Sequence, residues 1–202
     1  MGITLPTHGQ TLWDNPLNLA LRHLMSASMV PNDHGFINWS QDPALCAASA
    51  NPTSGTVRMV KLPPLPETYT ITNVATYVSA AGVALTANQC FVGLYDSAGT
   101  RVAVSLDQSA NWTTTGLKII PLVAPYVVAA NTAVWMATLY NGTSLSFAVS
   151  SNVGVQADLV NANLAAAVAR YTLGPAAQTS LPASVTMGAR TNSSGVVWNA
   201  VS

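Results

Sequence analysis

Short runs of alternating apolar and polar residues, each closed by Gly, Pro, Asn or Asp, recur from Thr56 to Ser202. A side-chain period of two belongs to a strand with one face on a core. Residues 57–62 alternate and stop at Pro63-Pro64, and 69–80 alternate and close at Gly82. Residues 90–96 end in the turn signal Asp96-Ser97-Ala98-Gly99, and 101–106 follow. Further strands are expected at 117–122, 125–129 and 133–140, with Asn141-Gly142 as a hairpin turn into 144–149. Residues 165–173, 184–189 and 195–201 complete the set. Many short strands between turns predict a mainly β chain, a jelly-roll-like antiparallel β-sandwich over 56–202. The Ala-rich stretch 159–168 favours helix, so a short helical turn leading into a strand is expected there.

The first 55 residues lack that pattern. Asn15-Pro16 supplies an N-cap and a first-turn proline. A short helix over 16–28 would align Leu17, Leu21 and Leu24 on one stripe, at coiled-coil spacing but under two heptads long. So short a helix is marginal alone, and its apolar side needs the domain or sister helices. Residues 1–30 therefore read as an appendage whose apolar side needs covering, and 31–55 as an irregular connector anchored by Phe36, Ile37 and Trp39.

Composition narrows the partners. The chain of 202 residues holds seven basic and seven acidic side chains, so its net charge is zero. An ordinary domain of this size carries about 50 charged residues. No basic surplus exists for nucleic acid or an anionic membrane surface. The longest apolar stretch, 119–130, is cut by Pro121 and Pro125, and a spanning helix needs about 20 residues; membrane insertion is not expected. No basic-then-apolar signal peptide opens the chain. Cys46 and Cys90 lie far apart and read as reduced buried thiols. Low charge leaves little to keep copies apart, so association is expected.

Catalytic chemistry finds few parts. His8, His23 and His34 all precede the β region, at no metal-ligand spacing, and no metal or cofactor is expected. There is no Gly-x-Ser-x-Gly elbow. Asp96 and Asp107 flank one hairpin and could share an end of the sandwich, but both also suit turns. The chain is read as non-enzymatic; a carbohydrate-active enzyme or free lectin is the reading these counts disfavour. Sugar recognition pairs an aromatic face with amide and carboxylate groups. The loop Asp107, Gln108, Asn111, Trp112 offers that set, and Tyr140-Asn141 a weaker one. A Trp112 that starts a strand and plugs the end of the core is the commoner role for such a residue.

The opening Leu5-Pro6-Thr7-His8-Gly9-Gln10-Thr11-Leu12-Trp13-Asp14-Asn15-Pro16-Leu17-Asn18 resembles a segment of bacteriophage tail-fibre and minor tail proteins. The stretches 82–89 (GVALTANQ), 93–99 (GLYDSAG) and 122–126 (LVAPY) resemble a domain of phage fibre proteins. The resemblance implies a virion protein made in the host cytoplasm, usually a homotrimer. It also implies that residues 1–30 are an attachment segment, in which Leu5, Pro6, Gly9, Trp13, Leu17, Asn18, Leu21 and Leu24 meet other virion proteins or sister copies. A β head displayed for host-surface glycan attachment is expected, with a capsid decoration or head-fibre protein as the alternative. The leucine seam fits three helices around an axis but does not select three over two.

Overall fold

A computed structural model describes residues 30–150 and 156–202. The expected helix over 16–28 and all eight attachment residues lie outside the described residues.

The described chain is an antiparallel β-sandwich. Its strands are β1 (Asn38–Trp39), β2 (Cys46–Ala50), β3 (Arg58–Leu62), β4 (Tyr69–Ala80), β5 (Phe91–Tyr95), β6 (Arg101–Val104), β7 (Gly116–Val128), β8 (Val134–Leu139), β9 (Ser146–Ser150), β10 (Tyr171–Leu173), β11 (Thr191–Asn192) and β12 (Asn199–Val201). The first sheet runs β1-β12-β4-β9-β2, with β7 along the other side of β4. The second runs β11-β10-β3-β8-β5-β6. Successive strands mostly hop from one sheet to the other, as in a wrapped, jelly-roll-like sandwich.

Alternation explains the fit. In β4, Ile71, Val74 and Val78 face the second sheet, where they meet Val60, Leu62, Val92, Leu94 and Met136. The other faces carry their own apolar layers. Outside the second sheet, Val57, Met59, Tyr95, Trp135, Ala137 and Leu139 are covered by Leu181, Val185 and Met187. Outside the first, Ala75 and Ala200 meet Phe36, Trp39 and Trp198.

Several expectations are corrected. The segment 31–55 is no mere connector: β1 and β2 join the first sheet, and of its three expected anchors Phe36 and Trp39 are buried while Ile37 is half-buried. Asn141-Gly142 is not a hairpin turn, because β8 and β9 belong to different sheets. The Asn141 amide instead pins the crossover, donating to the Gln178 carbonyl (2.9 Å) and the Gln89 carbonyl (3.4 Å). The two strands expected at 117–122 and 125–129 are one strand, β7. It bulges where β4 passes from Asn73 to Ile71, and Leu122 bridges to Ser105 of the other sheet. Residues 184–189 pair only through the bridge of Ser184 with Thr100. Of 165–173, only β10 is strand; a helical turn does precede it as expected, but α1 (Ala157–Val160) reaches only the first two residues of the Ala-rich stretch 159–168.

Candidate functional site: an open apolar face

The polar loop after β6 is already occupied with its own structure. One Asp107 carboxylate oxygen accepts from the Cys90 amide (3.1 Å) and the other from the Ser109 hydroxyl. Burial works to raise the Asp107 pKa. The Ser109 hydroxyl and the amides of Asn88, Cys90 and Ser109 outweigh it and hold the carboxyl below its ordinary value. The Gln108 amide donates to the Leu106 carbonyl (2.8 Å), and Asn111 donates to Gln108 Oε1 (2.9 Å). Asp96 caps the opposite turn by accepting from Ala98 and Thr100 (both 2.9 Å). Because Asp107 sits beside the start of β5 and Asp96 beyond its end, the two carboxylates occupy opposite ends of that hairpin.

Neither aromatic ring of these loops faces solvent. Trp112 is 0% exposed and packs edge-on against Phe147, with centroids 5.4 Å apart. It plugs the core, because the short turn Asn111–Thr113 aims the indole inward between the sheets. A buried indole offers no face to a sugar ring, so the stacking role expected of Trp112 is corrected to a packing role. Tyr140 is 3% exposed, and its hydroxyl donates to the Pro52 carbonyl (2.7 Å). Asn141, next to Tyr140 in sequence, serves the crossover. Among the described residues, no three His, Cys, Asp or Glu side chains gather as a metal site.

The surface that is open lies elsewhere. In β7 the inward Ile120, Leu122, Tyr126 and Val128 join the core. The alternate positions Leu117, Ile119, Pro121, Val123, Pro125 and Val127 are exposed, and every one is apolar. This row is about 35 Å long, and Tyr77 of β4 extends it sideways opposite Leu117. Monomers rarely leave contiguous apolar patches beyond a few hundred Å² open. β7 is also an edge strand of its sheet, with β4 as its one strand partner among the described residues and a single bridge from Leu122 to Ser105 on the other side. Pro121 and Pro125 remove two amide donors and so hinder strand addition, which leaves side-chain packing as the way to cover it.

At its Leu117 end the row runs into a groove of about 400 Å³, lined by Phe36, Cys46, Tyr77, Leu117, Ala148 and Trp198, with Pro43 and His34 at its margin. Burial raises the Cys46 thiol pKa, a Gln41 hydrogen bond partly offsetting it. The Cys90 thiol is pushed up to about 11 by burial in the core. Sequence reasoning missed this face, although its signal was present: past Lys118, residues 119–127 are apolar at inward and outward positions alike, where a half-exposed strand should alternate with polar residues. No protein-family model matches the sequence, and no curated protein matches it.

Proposed function

We propose that the chain is a non-enzymatic structural module of a bacteriophage virion, a homotrimer held to the particle by its N-terminal segment. Its β-sandwich is displayed outward, for attachment to a host-surface glycan. The uncharged outward row of β7 is the observation that carries this reading. A component that assembles once and keeps its neighbours tolerates such a surface, whereas a free protein with zero net charge risks precipitation. The resemblance of residues 5–18 and of the β turns to phage fibre proteins supplies the class of particle.

A second reading within that class, a capsid decoration or head-fibre protein, is favoured by the burial of Trp112 and Tyr140. With both rings inside, the loops hold less of what a glycan site needs, and the sandwich serves by covering and bracing its neighbours.

Sedimentation equilibrium of the full chain tests the assembly claim. A trimer is expected; a monomer at micromolar concentration overturns it. Glycan arrays and particle adsorption then separate the two readings: a specific glycan hit supports attachment, and a blank array with unchanged adsorption by particles lacking the protein supports decoration.

A further inference from the structure

We infer that the groove on the outer face of the first sheet is the seat of the chain's own residues 17–28, with Leu17, Leu21 and Leu24 as the side chains that fill it. The inference does not depend on the virion reading, since it concerns how the chain covers its own surface. Three observations carry it. First, the groove asks for an apolar occupant: among the described residues no Asp, Glu, Lys or Arg lines it, and Phe36, Tyr77, Leu117 and Trp198 are its large apolar side chains. Residues 16–28 (PLNLALRHLMSAS) hold one arginine and one histidine, and of their four leucines Leu17, Leu21 and Leu24 recur at spacings of four and three, which would put those three on one side of a helix.

Second, the tether is short and begins at the right place. The described chain starts at Val30, and the turn Pro31–His34 leads straight to groove residues His34 and Phe36. The six residues from Leu24 to Val30 reach at most about 20 Å. Third, such a tether sets a local concentration near the millimolar range, far above that of separate copies at micromolar concentration. The chain's own segment therefore outcompetes a sister's for this groove. Seating residues 17–28 here leaves residues 5–14, with Trp13, free to reach a different partner.

Cys46 in the groove wall makes the test direct. In the full-length protein, Leu21→Cys and Leu24→Cys are made singly, with Ser26→Cys as control. Ser26 falls opposite the leucine stripe on a helix yet lies nearer the tether, so random collision favours the control. Cys90 is fully buried and does not compete. Under mild oxidation, Leu21→Cys or Leu24→Cys is expected to form a reducible intrachain disulfide with Cys46 about tenfold faster than Ser26→Cys. Covalent dimers instead would show a sister's segment in the groove and overturn the assignment, as would equal rates at all three positions or no disulfide at any. A second variant, Leu17→Ser/Leu21→Ser/Leu24→Ser, reads the same contact without a crosslink. Alkylation of Cys46 is expected to speed up about tenfold while circular dichroism stays unchanged; an unchanged alkylation rate overturns the proposal.

Discussion

The two sheets solve the same problem in different ways. Each has an apolar outer face, but the second is closed by its own chain, whereas among the described residues the first is covered only at one end, by Phe36, Trp39 and Trp198. Residues 174–190 lie over the second sheet as a strap, with Leu181, Val185 and Met187 pressed onto Met59, Tyr95 and Trp135. Its bonds go to the sheet margin: Val185 N donates to Gly99 O (2.8 Å), Arg101 N donates to Ala183 O (2.9 Å), and the Tyr95 hydroxyl donates to Pro182 O (2.7 Å). The Arg190 guanidinium stacks 5.4 Å from the Trp135 ring and ties the carbonyls of Met187 (3.0 Å) and Ala166 (2.6 Å) together. On the first sheet, Phe36, Trp39 and Trp198 shelter one end, while Leu117, Ile119, Val123 and Val127 remain 47–65% exposed. The closed face secures the fold of one copy; the open face is left to be covered by further contacts.

That contrast makes graded predictions. Trp135→Ala, on the closed face, should cost about 3–5 kcal/mol, read as a large drop in denaturant midpoint. A loss below about 1 kcal/mol would mean that the strap contributes little. Gly99→Ala comes next. A Cβ there would sit 2.0 Å from the Val185 carbonyl oxygen, at φ +85°. The clash should push the strap outward at about 1–3 kcal/mol, seen as faster hydrogen exchange at Val185.

On the open face the pattern inverts. Ile119→Lys or Val123→Lys should change the unfolding free energy by under about 0.5 kcal/mol yet reduce the sedimenting species to a monomer. An intact oligomer with both substitutions would put the interface elsewhere. The smallest effect belongs to the polar loop. Asp107 has a folded pKa held below its unfolded value, so its stabilisation is present above the unfolded pKa and fades as pH falls through the folded one. Asp107→Asn should therefore cost less than about 1 kcal/mol at neutral pH, a difference that vanishes in acid.

The sequence disclosed those parts whose alternation reports a real ladder. Residues 69–80 alternate because Ile71, Val74 and Val78 enter the core while Thr70, Thr72 and Tyr77 do not, and the strand is found at those bounds. Residues 184–189 alternate for a different reason. Val185 and Met187 both point down onto the second sheet from a strap that is paired only at the Ser184–Thr100 bridge, so periodicity alone could not tell strap from strand. β1 is two residues long, too short to show any period. In the loop 107–112, Asp, Gln and Asn are the groups a ligand site needs and equally those a tight turn needs. Here they bond to neighbouring backbone and to one another. The open face escaped attention because Pro121 and Pro125 suggested a break, whereas an edge strand accommodates both.

Those two prolines also bear on what happens while many copies are made at once. A rim of free amides beside greasy side chains is the usual seed for fibrous growth, each newcomer zipping onto the last. With donors missing at positions 121 and 125, backbone zippering along this rim is interrupted, and recognition falls to the shapes of Leu117, Ile119, Val123 and Val127. Crowded chains can then wait for a partner of the right contour without hardening into aggregates.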